Sequence, residues 1–211
     1  MNSESFREQE VRYFVEELCP KADAVLRFIV GVSFNEEKSF SLLKETYERS
    51  GNALEGIFAK KQSLSGVLAI AWEVILEQKK NSSTLSSLIE LNSLEKEQRA
   101  VILLAEVLGL EKKDLSFILK KTESDLDQLI AQARYKLLGK GGELERERVF
   151  VYANLSEYLA DELDSSHASK VASALVKEGE KTVEDFSRLK GTLQLSLEQY
   201  RVSEEDLLKL R

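Results

Sequence analysis

Imidazole and thiol side chains are scarce in this chain, which has one histidine, His167, and one cysteine, Cys19. His167 is flanked by Ser165, Ser166 and Ser169, with no cysteine or second histidine at ligand spacing, so it reads as a solvated turn residue and not as a catalytic base or metal ligand. A lone cysteine forms no internal disulfide, and Cys19 reads as a small apolar residue near a helix start. The run Gly139-Lys140-Gly141-Gly142 has the composition of a phosphate loop but lacks the preceding strand that such a loop requires. Acidic residues are numerous, yet they alternate with lysines at helical spacing, as on solvated helix faces, and do not pair as acid and base. The sequence therefore predicts a protein that is not an enzyme and has no cofactor and no metal.

What carries the remaining residues is helix. Of 211 residues, 43% are hydrophobic, enough to bury a core, and only one, Pro20, is proline, the residue that interrupts helices. The formal charge of −7 gives no global attraction to nucleic acid. The first ten residues carry Glu4, Arg7, Glu8 and Glu10 with no apolar run, and the most apolar stretch, Leu64 to Leu76, falls short of the roughly 20 residues of a spanning helix. The expectation is a cytoplasmic protein with no membrane segment.

Period-3.6 stripes predict an all-α fold in three modules. Val11, Phe14, Val15 and Leu18, then Val25, Phe28 and Ile29, form two helices around Pro20. Phe40, Leu43 and Tyr47 continue the pattern, followed by Leu64, Leu68, Ala71, Trp72 and Ile75, which gives a helical bundle over residues 1–80. The serine-rich stretch around 81–90 reads as a linker. Residues 91–138 show a long, a short and a long helix: Leu94 to Leu108, Asp114 to Leu119, and the stripe Leu126, Leu129, Ile130, Ala133 and Leu137. Residues 139–150, which include the charged run Glu143 to Arg148, read as a second linker, and 151–211 as a third module with helices at Leu155 to Glu162, Ser169 to Lys177 and Val183 to Leu197. Gly51, Gly56, Gly109 and the 139–142 glycines mark the joints.

The run Leu94, Gln98, Arg99, Val101, Leu103, Leu104, Gly109, Leu110, Leu115, Ile118, Leu119, Leu126, Ile130, Ala133, Arg134 and Leu137 resembles region four of extracytoplasmic-function sigma factors, a helix-turn-helix that reads promoter DNA. Leu42, Leu43, Glu45, Thr46, Tyr47 and Arg49 are similar to the region-two helix that docks on RNA polymerase, and Leu64 to Glu77 to the helix that melts the promoter. Leu155 to Leu163, with Val171, Leu175, Phe186 and Leu189, resembles an anti-sigma domain, although the positions of that family's zinc ligands hold Ala174, Glu178 and Lys181.

The departures decide what the resemblance implies. Asp125, Asp127 and Gln132 stand on the would-be recognition helix with no basic residue before Arg134, and a carboxylate facing phosphate is repulsive, which argues against DNA binding. The docking positions usually held by Asp and Gln are Ser41 and Lys44, and the melting positions are Val67, Ala69, Ile70, Glu73 and Val74. The implied protein is a sigma-factor-like regulator with eroded DNA-reading surfaces and an anti-sigma-like tail that contacts the sigma-like core within the same chain. It would act by binding a protein, with RNA polymerase as the family's partner and Leu42, Lys44, Glu45 and Arg49 as the candidate surface. A self-inhibited initiation factor and a structural or scaffolding helical protein are the alternatives.

Overall fold

A computed structural model describes residues 12, 16–17, 19–52, 63–78, 86–178 and 181–210. Val11, Phe14, Val15, Leu18, Gly56 and linker residues 81–85 lie outside the described residues. Among those described the chain is all-α, without a strand. It divides into two compact units: residues 1–85, 117–119 and 197–211 form unit 1, and 86–116 with 120–196 form unit 2.

Unit 1 is built on three mutually packed helices, α1 (Ala22–Ser33), α2 (Glu36–Asn52) and α3 (Ser63–Glu77). A 3-10 turn, Cys19–Lys21, leads into α1 and buries Cys19. Val25, Phe28, Ile29 and Val32 of α1 meet the stripes Leu43, Tyr47 and Leu68, Trp72, Ile75, all essentially inaccessible, so the sequence periodicity is the packing. Trp72 is a core residue. Burial among these helices pushes the Tyr47 phenol up from its ordinary range. Gly51, expected at a joint, lies inside the last turn of α2. Thr46 and Ser50 are buried on that helix, and their hydroxyls donate to the carbonyls one turn back, Leu42 and Thr46, each at 2.7 Å.

Unit 2 begins where a linker is expected. Residues Ser86–Ser93 form two short 3-10 turns that meet at a kink at Leu88, whose backbone is non-helical, and they bury Leu88 and Leu91. Next comes α4 (Lys96–Ile102), which continues as a π turn over Leu103–Val107. Then follow α5 (Lys112–Leu119), α6 (Glu123–Leu137), α7 (Arg146–Ala153), α8 (Leu155–Leu159), α9 (Ser165–Glu178) and α10 (Lys181–Glu198), with α11 (Glu204–Lys209) in the segment belonging to unit 1.

The second linker expectation also meets a helix: α7 starts at Arg146, inside the charged run, and buries Val151, Tyr152 and Ala153. Its apolar stretch is only five residues long, too short to show a period. His167, expected in a turn, is in the first turn of α9, where the Asp164 carboxylate accepts from the backbone N–H groups of Ser166 and His167. Of the tail stripe, Leu159 faces solvent, while Leu155, Val171, Leu175 and Phe186 are buried.

The core of unit 2 joins α6 to the tail. Ala131 of α6 clusters with Val151, Tyr152, Ala153, Leu155, Val171, Leu175 and Phe186, and Tyr135 and Leu138 pack against the same cluster. The Tyr135 and Tyr152 rings meet edge to face at 5.2 Å. Residues between 151 and 186 thus share a core with the helix expected to read DNA.

Candidate interaction surfaces

The α2 positions separate into packing and surface. Leu42 is buried, as are its neighbours Leu43 and Tyr47. Lys44 is exposed and pairs with Glu48 one turn on, at 3.8 Å. Arg49 accounts for two more charges: its guanidinium donates to Glu45 at 2.5 Å and forks onto both oxygens of Glu77, at 2.8 and 2.6 Å, tying α2 to α3. This pairing holds the Glu77 carboxyl below the usual carboxylate range. Of the four candidates, three carry charges on one exposed helix face, and each has a carboxylate or cation of the same unit against it. Of the expected melting positions, Val67 and Val74 are in the core and Glu73 is exposed.

On α6, Thr122 accepts from the Asp125 N–H at 3.2 Å and donates to its carboxylate at 2.7 Å. Asp125 is therefore part of the helix cap, and its charge suits a helix N-terminus. Asp127 pairs with Lys112 at 2.9 Å, and Gln132 is half-buried. The neighbouring cations are held too: Lys121 contacts Glu97 at 3.0 Å and Lys136 the side-chain carbonyl of Gln98 at 3.1 Å. Across an open groove of about 820 Å³, Ser124, Asp127 and Gln128 face Glu143 and Glu145 of the segment leading into α7 and Phe150 of α7 itself.

Lys120, between α5 and α6, stands at φ +53°, in the left-handed region, and closes α5 with its N–H on the Ser116 carbonyl. A side chain at this position costs energy that glycine avoids. Lys120→Gly is expected to raise the stability of unit 2 by about 0.5–1 kcal/mol, read as slower hydrogen exchange of the α6 amides.

Within unit 2, a polar arrangement is buried between the π turn, α6 and the segments that follow. Glu106, in the π turn, and Arg134, on α6, are both almost inaccessible to solvent. Arg134 donates to Glu106 Oε1 through Nε at 2.9 Å and Nη2 at 2.5 Å, while Nη1 donates to the carbonyls of Tyr152 and Ala153 at 2.7 and 2.8 Å. Those carbonyls lie in the last turn of α7, where a helix runs out of its own N–H donors. The other Glu106 oxygen accepts from the Ser156 hydroxyl at 2.6 Å and meets the Lys190 ammonium at 3.3 Å. The Glu106 backbone carbonyl accepts from the Gln194 amide at 3.0 Å. Burial pushes the Glu106 carboxyl up, but Arg134, Ser156 and Lys190 together outweigh it and hold the group below the ordinary carboxylate range.

Sequence reasoning assigned no part to Glu106, Ser156, Lys190 or Gln194 and noted Arg134 only within the region-four resemblance and as the first base on its helix. One signal was available: Arg134 follows Ile130 by four and Leu126 by eight residues, so it falls on the buried stripe, where an arginine needs a buried carboxylate.

Among the described residues no cluster of His, Cys, Asp and Glu could hold a metal ion, and no helix is long and apolar enough to cross a membrane. Comparison with known proteins finds no family model, no curated protein and no solved structure that matches the chain.

Proposed function

We propose that this chain is a non-catalytic, sigma-factor-like regulator of the cytoplasm that works by binding a protein, with a helix-turn-helix in α5 and α6 that no longer reads DNA and a tail that masks it in cis. The observation that carries this reading is the environment of α6. Its capping turn is acidic, its arginine is buried on Glu106 and on the end of α7, and its apolar side is shared with α7, α9 and α10. A helix entering a major groove needs free cations for phosphate and a side clear of its own chain. The surface left for a partner is the charged face of α2, with Lys44, Glu45 and Arg49.

The test uses the purified full chain, core RNA polymerase and labelled promoter-like duplexes. Capture of polymerase, lost on Lys44→Glu with Glu45→Lys, is the expected result. DNA affinity should stay in the non-specific range, about 10⁻⁴ to 10⁻⁶ M, without preference among duplexes. Sequence-dependent DNA binding would overturn the reading. One observation favours the second reading, a self-inhibited initiation factor: the tail packs on the very helix that would read the promoter. That reading expects specific promoter binding to emerge once the tail is loosened by Phe186→Ala.

A further inference from the structure

In unit 1, residues that are far apart in sequence make a small, well-defined recognition geometry. Asp23 and Arg27 are one turn apart on α1 and so share a face. The Val202 backbone N–H donates to Asp23 Oδ1 at 2.8 Å, and Arg27 Nε donates to the Tyr200 carbonyl at 3.3 Å. The Tyr200 hydroxyl pairs with the Glu36 carboxylate at the start of α2. Two side chains thus hold a main-chain acceptor and a main-chain donor two residues apart, the pair that an extended segment offers along one edge, and a third side chain reads the tyrosine hydroxyl. Contacts to main chain accept almost any sequence, and the side-chain contact supplies selectivity.

The segment seated there is lightly held. Residues 201–203 are non-helical, with Arg201 and Ser203 exposed. The following helix, α11, is six residues long, far below the length at which a helix persists unaided, so it stays folded only while docked. Its Leu208 is 60% exposed, and Leu210, just beyond it, is the buried apolar anchor. An element with few buried contacts opens long before the bundle beneath it.

We propose that Asp23, Arg27 and Glu36 form a docking site for a peptide segment of a partner protein, a tyrosine followed by non-helical main chain, and that residues 200–210 occupy this site in cis as an internal stand-in. The inference gives the protein-binding reading a second, particular surface. It stands on unit 1 alone and does not depend on the sigma-factor resemblance. Tethering gives the internal segment an effective concentration near the millimolar range, so a free segment of equal affinity enters only when the stand-in is weakened.

The test keeps the full chain. Val202→Pro removes the N–H that Asp23 accepts, outside any helix of the bundle. Hydrogen exchange over residues 204–210 is expected to speed up, and a fluorescein-labelled peptide of residues 197–211 to bind this variant at least about tenfold tighter than the wild-type chain. Binding should vanish when Asp23→Ala and Arg27→Ala are added, and weaken when the peptide carries Tyr200→Phe, which cannot reach Glu36. No peptide binding to the Val202→Pro chain, or binding that survives loss of Asp23 and Arg27, overturns the proposal. Dimers of the wild-type chain that disappear in the Asp23→Ala, Arg27→Ala chain would also overturn it, assigning the site to exchanged tails of two copies. Because the probe is the chain's own sequence, these outcomes are independent of whether RNA polymerase is bound.

Discussion

Arg134→Met is expected to destabilise unit 2 by about 3–5 kcal/mol, the cost of leaving a buried charge without its partner. Methionine keeps most of the stem volume, so the loss is polar. Glu106 would keep Ser156 and the half-exposed Lys190, but the carbonyls of Tyr152 and Ala153 would lose the Arg134 guanidinium as a donor. Glu106→Gln should cost a comparable amount, since it leaves the guanidinium buried against a neutral amide. The two changes act on one interaction, so the double variant should lose less than the sum of the singles by about 1–3 kcal/mol. Hydrogen exchange of the α6 and α7 amides reads the effect within unit 2, which matters because a chain of two units need not unfold in one step. Additive losses would show that the pair does not function as a unit.

The same carboxylate sets a pH dependence. The folded value of Glu106 lies below its unfolded value of about 4.3, so its stabilisation is fully present above that pH and is lost as pH falls through the folded value. The acid-unfolding limb of unit 2 should therefore lie below about pH 4.3 and flatten in Glu106→Gln.

These residues also show where sequence was legible. The three-helix packing of unit 1 follows from stripes such as Val25, Phe28, Ile29 and Leu68, Trp72, Ile75, because a period of 3.6 encodes a buried face directly. The helices around Leu115 and around Leu126 to Leu137 were readable for the same reason. Ser86–Ser93 and α7 were not. Each places a short apolar stretch, three residues in Ser86–Ser93 and five in α7, beside serines or charges, and their burial is decided by what they meet in the fold. The α2 candidates were legible as a charged face, but the fork of Arg49 onto Glu77 needs the α2–α3 register, which composition does not carry. On α6, Asp125 was read for its repulsion of phosphate, and the structure adds a local role, capping, that explains an acid there without any partner.

Phe186→Ala is the sharper test of how the tail relates to α6. Phe186 is fully buried on α10, lies in one cluster with Ala131 of α6 and Tyr152 of α7, and has the Arg134 guanidinium over its ring at 5.4 Å. Truncating a buried phenylalanine costs about 3–5 kcal/mol through lost contacts and the cavity left behind. If residues 86–196 cooperate as one unit, that loss is not confined to the tail: exchange in the second half of α6, around Ala131 and Tyr135, should accelerate by about the same factor as in α9 and α10. Were the tail instead a separable module, α9 and α10 would loosen while α6 kept its protection. The first outcome means that α6 cannot be uncovered without losing part of its own core, so a partner would have to replace Phe186 and its neighbours with equivalent apolar contacts. A tail held in that way is better suited to permanent masking than to reversible release, which favours the protein-binding regulator over the self-inhibited initiation factor.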